Sequence, residues 1–143
     1  MTEMTLALAQ KLAAAVQAHA ASHKMQPLCV AVLDARGALV AYAGTDGAPL
    51  MRWKIAVGKA YGAVAFGAGS RRLGAMSVER PHFVGALVHL ADGGMVPVAG
   101  GVLARGADGR IAGAVGASGD TSDNDEAAAA AAITAAGLTA DGG

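Results

Sequence analysis

The chain has 143 residues and a mass of 13.9 kDa, the length of one domain spanning residues 1–143. Its eleven basic residues balance eleven acidic ones, so it lacks the net positive field that a nucleic-acid binder or a polybasic membrane module requires. With 54% hydrophobic and 15% charged residues it is not a disordered chain either, yet only 3% of its residues are aromatic.

Residues 5–23 read as a helix, with Leu8, Leu12, Val16 and Ala20 at spacing four and Thr5 as a cap. Pro27 disfavours helix in the residue before it, so this helix ends near His23-Lys24. Residues 28–34 are apolar at nearly every position and predict a central strand covered on both faces. Residues 38–42 follow across Ala35-Arg36-Gly37 and complete a hairpin. Turn chemistry at 44–50 leads into a second helix over about 51–66, in which Gly58 and Gly62 mark a face that something approaches closely.

The basic stretch 67–82 predicts irregular chain with a helical turn at 70–76, and 83–91 fits helix or strand. Residues 95–104 and 110–117 flank Gly106-Ala107-Asp108-Gly109 and predict a second hairpin. An alanine-rich helix follows over about 121–137, with Asp123 and Glu126 spaced as a capping box. The tail, 141–143, is expected to fray. This order specifies an α+β domain built on a mostly antiparallel sheet.

Small side chains bury little area each, at about 25 cal/mol per Å². An interior of Ala and Gly therefore calls for close main-chain packing and for burial between copies of the chain, that is, a homo-oligomer. Cys29 is the only cysteine, so no intrachain disulfide or cysteine-based zinc cluster forms, and its apolar surroundings suit a buried thiol. The first residues carry no signal-peptide pattern, and no run of 18 apolar residues is long enough for a membrane span, so the expected location is the cytoplasm.

Four stretches taken together resemble a known family. They are Val32-Leu33-Asp34-Ala35-Arg36-Gly37; Asp46-Gly47-Ala48-Pro49-Leu50 with Gly58-Lys59-Ala60-Tyr61; Val96-Pro97-Val98-Ala99-Gly100-Gly101-Val102; and Gly113 to Thr121 followed by Asp125-Glu126. In order and coverage they resemble the GlcG/HbpS family of haem-binding-like proteins, which includes the C-terminal domain of PduO-type proteins. The resemblance implies an antiparallel sheet of about five strands flanked by helices, with a profilin-like or PAS-like look, and a homo-oligomer. It also implies haem or another small ligand. The chain departs from the family pattern at Gly62, at Gly119-Asp120-Thr121, and in carrying Trp53 and His82.

The candidate site residues each admit two readings. His19 and His23, four apart on one helix face, suit a metal or haem iron, or are two histidines at a solvated helix end. Arg52, Lys54, Lys59, Arg71, Arg72 and Arg80 form a basic segment, and Asp120, Asp123, Asp125 and Glu126 an acidic one. These either pair, within or across subunits, or leave a positive pocket for a small carboxylate or a haem propionate. Arg52, Lys59 and Tyr61 are the ligand-binding candidates, with Gly100-Gly101 as an amide nest or a plain turn.

A lysine desolvated near other cations has a lowered pKa, so Lys59 is also a candidate catalytic base. His82, after Pro81, is a second candidate acid/base or a surface loop histidine. The alternative function is therefore a cofactor-independent lyase or isomerase acting on a small carboxylate. There Lys59 or His82 moves the proton and Asp46, Asp120 or Glu126 is its partner. His89 reads as a core or interface residue, and Ser118 has no nucleophile-elbow context.

Overall fold

The computed structural model describes residues 2–143. Five strands, β1 (Cys29–Asp34), β2 (Leu39–Gly44), β3 (Gly101–Arg105), β4 (Ile111–Ser118) and β5 (Thr139–Asp141), form one antiparallel sheet in the order β2-β1-β4-β3-β5. Helices α1 (Leu6–Ser22) and α5 (Ser122–Ala135) cover one face and α2 (Arg52–Phe66) covers the other. The remaining helices, α3 (Ser70–Glu79) and α4 (Pro81–Leu90), project from α2 as a helical hairpin. The α+β class and the five-stranded antiparallel sheet match the expectation.

Alternation along β1 divides the core in two. Val30 and Val32 point to α1 and α5, where they meet Leu12, Val16, Val102, Val115 and Ile133. Cys29, Ala31 and Leu33 point to α2, where they meet Ala56, Ala60, Ala63 and Leu103. With helices on both sides, β1 is buried almost throughout, as its unbroken apolar run predicts. The Cys29 thiol is buried too, and it accepts a hydrogen bond from the Tyr42 hydroxyl at 3.0 Å.

Local signals set several boundaries. Thr5 caps α1, its hydroxyl accepting from the Leu8 N–H, and His23 closes the helix. At α5 the cap is Thr121, which accepts from Asn124 N–H. The expected Asp123/Glu126 capping box does not form, because Glu126 turns outward to Arg71.

Three further expectations are corrected. Residues 67–82 are not irregular: they contain α3 and the start of α4, with Pro81 as the first residue of a helix whose missing N–H costs nothing there. Residues 95–100 are not strand; they pack as loop on the glycine face of α2. The tail does not fray, since β5 pairs with β3 and Arg105 holds Asp141 at 2.8 Å.

Close approach defines the α2 side. A Cβ on Gly58 would meet Val96 at 2.6 Å, and one on Gly62 would meet Met95 at 2.8 Å. A Cβ on Gly101 would run into the Lys59 carbonyl, and one on Gly116 into the Ala56 carbonyl. The α2 main chain thus lies directly on β3 and β4.

Candidate functional site

A buried ion pair lies where α2 crosses the ends of β3 and β4. Lys59 is 2% exposed, yet its position on α2 points its ammonium at the start of α5. There it donates to the Asp125 carboxylate at 3.3 Å and to the Ala117 carbonyl at 3.0 Å. Asp125, 0% exposed, also accepts from the N–H groups of Gly119 and Asp120. Burial pushes the Lys59 ammonium below the usual lysine range, against the pull of Asp125 and with some help from the Arg52 charge.

Gly100 and Gly101 belong to the same construction. Gly100 has φ +127°, and a Cβ on it would meet the Lys59 Nζ at 2.7 Å. The Gly101 N–H donates to the Ser70 hydroxyl at 2.7 Å, and that hydroxyl donates to the Val98 carbonyl at 2.6 Å. The glycine pair therefore lets the strand entry lie against α2, and the Gly101 amide is engaged within the fold.

The sequence candidates separate into groups. Arg52 begins α2 and donates to Ser118 Oγ at 3.2 Å, in the electrostatic range of Lys59 and without an ion pair among the described residues. Asp120 accepts from the Gln26 N–H at 2.7 Å and from Thr121 and Asn124, which ties the start of β1 to the start of α5 and holds its carboxyl below the usual carboxylate range. Glu126 and Asp123 both bind Arg71 of α3, so part of the segregated charge is met within one chain. Asp46 stands exposed on the loop before α2 with no ion pair. Tyr61 points outward and lies over the Gly37 turn.

His82 is exposed on α4, whose packing partner is α3, and it makes no contact with Lys59; His89 on the same helix is also exposed. The carboxylate beside Lys59 is that of Asp125, and not of Asp46, Asp120 or Glu126. The two residues are 66 positions apart, and Asp125 sits in the first turn of α5, just after its Thr121 cap. Nothing local in the sequence marks that pairing.

His19 and His23 stack at the end of α1, ring centroids 3.8 Å apart and planes inclined by 13°. His23 Nδ1 lies 2.9 Å from the His19 carbonyl and 3.0 Å from Ser22 Oγ. In the tautomer with its proton on Nδ1, His23 donates to that carbonyl and Nε2 carries the lone pair. Burial, and then the proximity of His23, lowers the pKa of His19. No group of three or more His, Cys, Asp or Glu side chains among the described residues forms a protein-only metal centre.

Two open surface cavities are present among the described residues. One, of about 340 Å³, lies between Thr2–Met4, the Asp34–Arg36 turn and Ile111; the other, of about 270 Å³, lies beside Arg71 and Glu126. Neither reaches the histidines or Lys59. No helix among the described residues is long and apolar enough to cross a membrane.

The profile of the family described as haem degrading protein HbpS-like matches residues 4–134. No curated protein matches the chain. Among solved structures, PduOC in complex with haem is 25% identical, with a TM-score of 0.85 over 96% of this chain and 97% of that one. A double mutant of HbpS from Streptomyces reticuli is 26% identical, with a TM-score of 0.79 over 94% of this chain and 88% of that one. Protein ORFY of Klebsiella pneumoniae, a DUF336 protein, is 24% identical with a TM-score of 0.84 over 96% of this chain and 93% of that one, a likeness of fold. The chain belongs to the HbpS-like family.

Proposed function

We propose that this member of the HbpS-like family binds haem, and that it does so as an assembly of identical copies. The observation that carries the proposal is the family match over residues 4–134, joined to a likeness along nearly the whole chain to a protein whose structure contains haem.

The donor set fits the group. Haem iron takes a neutral imidazole nitrogen, and His23 offers Nε2 while its Nδ1 is anchored to the helix end. His19, stacked beside it, has a depressed pKa that keeps it neutral near pH 7. Of the two cations proposed for ligand binding, Arg52 is the one left to meet a carboxylate, since Lys59 is committed to Asp125. Haem would supply the iron chemistry; His23 or His19 would hold the iron and Arg52 would meet a carboxylate.

A single copy has only five aromatic residues, and neither of the two cavities described above lies beside the histidines. The haem therefore sits at the surface or between copies. Lys59 is sealed from solvent and His82 is remote from it, so no observation favours the lyase or isomerase alternative.

Haem titration tests the reading. Wild-type protein is expected to shift the Soret band, and the His19→Ala/His23→Ala double variant to lose the shift. A wild-type titration indistinguishable from free haem overturns the proposal.

A further inference from the structure

The two edges of the sheet differ in kind. At one edge, β5 has three residues and ends on Asp141, which is paired with Arg105. Short length and inward-held charge are the usual protections of an exposed edge. At the other edge, β2 has six residues, Leu-Val-Ala-Tyr-Ala-Gly, with no charge and no proline. Its register with β1 is broken only near Val40, and Ala41–Gly44 run regularly. Antiparallel pairing with β1 uses alternate main-chain groups, so the others face outward without a strand partner.

The side chains on this edge are equally uncovered. The faces of β2 follow its register: Tyr42 opposes Ala31 and Leu39 opposes Leu33, which puts both on the α2 side. α2 packs over β1, β4 and β3 and leaves that side of β2 open, so Leu39 is 54% and Tyr42 44% exposed. α1 covers the opposite face.

Charge flanks the strand in a self-complementary way. Arg36, 88% exposed and only 3.7 Å from its loose partner Asp34, precedes β2 by three residues. Asp46, exposed and without an ion pair, follows it by two. Two antiparallel copies of this segment bring the start of one beside the end of the other. Arg36 of each copy then meets Asp46 of the other.

We propose that β2 is the docking edge for a second copy of this chain, paired antiparallel about a two-fold axis at Ala41, so that the two sheets join into one of ten strands. The contact is isologous: main-chain hydrogen bonds along Leu39–Ala43, Tyr42 and Leu39 over the seam, and an Arg36–Asp46 pair at each end. It rests on the assembly part of the function proposed above and specifies the surface that the assembly uses.

The test uses the ligand-free full chain in analytical ultracentrifugation, with circular dichroism as the check of folding. Wild type is expected to sediment as a dimer or a multiple of it. Tyr42→Lys is expected to weaken self-association at least about tenfold, by placing like charges diagonally across the axis on one face of the sheet. Arg36→Asp and Asp46→Arg, both at exposed positions, are each expected to weaken it, and the double exchange to restore it. That exchange carries the test if Tyr42→Lys fails to fold. Leu90→Lys, on the α3–α4 hairpin, is expected to change nothing.

A wild type that stays a single protomer at micromolar concentration overturns both the interface and the assembly. An oligomer indifferent to the β2 variants, or one broken by Leu90→Lys, overturns this interface alone. Neither result bears on haem titration, which is read separately.

Discussion

Lys59 and Asp125 lie 3.3 Å apart with their side chains 2% and 1% exposed, and they join α2 to the first turn of α5 across the end of the sheet. The ion pairs that Arg36, Arg71 and Arg105 make with Asp34, Asp123, Glu126 and Asp141 have both side chains at least one-fifth exposed. The pair therefore holds the two helical layers in register at one end of the molecule. Its two members are not equally supported. Asp125 has two main-chain N–H donors besides the ammonium, whereas Lys59 has one carbonyl besides the carboxylate.

Removing one member of a buried pair strands the other and costs about 3–5 kcal/mol. Asp125→Ala is expected to fall in that range, because the Lys59 ammonium keeps only the Ala117 carbonyl. Lys59→Met is expected to cost less, since the Asp125 carboxylate retains Gly119 and Asp120. Urea unfolding of the two variants measures the order, and a larger loss for Lys59→Met would contradict it.

At Gly101 the obstacle is main chain, which cannot swing aside. Gly101→Ala drives a methyl group into the Lys59 carbonyl and is expected to destabilise by about 1–3 kcal/mol, the range for overpacked cores. Gly85 on α4 has open space around its missing Cβ, so Gly85→Ala is the matched control. It is expected to stabilise by up to about 1 kcal/mol through helix propensity. Thermal melts of both variants decide.

Acid sensitivity should be traceable to Asp120. Hydrogen bonds from Gln26, then Thr121 and Asn124, depress its pKa in the folded protein. The unfolded chain binds a proton more tightly there, so the stabilisation is present above the unfolded value of about 3.9 and is lost as pH falls through the folded one. Asp120→Asn is expected to flatten this acid limb of the stability profile. Unfolding midpoints between about pH 2 and pH 6 provide the comparison.

Haem affinity should also depend on pH. A protonated imidazole has no lone pair for iron, and the depressed pKa of His19 moves its protonation below the usual histidine range. Binding is expected to hold at pH 7 and to decline on acidification. A titration series at stepped pH measures it, and affinity that rises on acidification would count against histidine ligation.

Where signals were local, the sequence was a sound guide. Thr5 before a spacing-four apolar row marks the start of α1, and the apolar run of β1 marks a strand covered twice. The α3–α4 hairpin is obscured because both helices are only ten residues long, α3 has few large apolar residues among its charges, and Pro81 looks like a breaker when it begins a helix. Gly58 and Gly62 announced a close approach correctly, but the loop carrying Met95 and Val96 that fills it could not be read from them. In the candidate site, Lys59 stood out through its glycine neighbours, while Asp125 was one acid among four. Its inward aim comes from the helix start at Thr121 and from chain contacts made far along the sequence.

The seam between α2 and the sheet is built of Ala56, Ala60 and Ala63 against Gly101, Ala114 and Gly116. Alanine and glycine have no rotamers to freeze, so this layer surrenders almost no side-chain entropy when it forms. It also exposes little hydrocarbon on melting, which makes for a small heat-capacity increment and a shallow dependence of stability on temperature. A protein so assembled resists cooling better than one of the same size filled with leucine and phenylalanine.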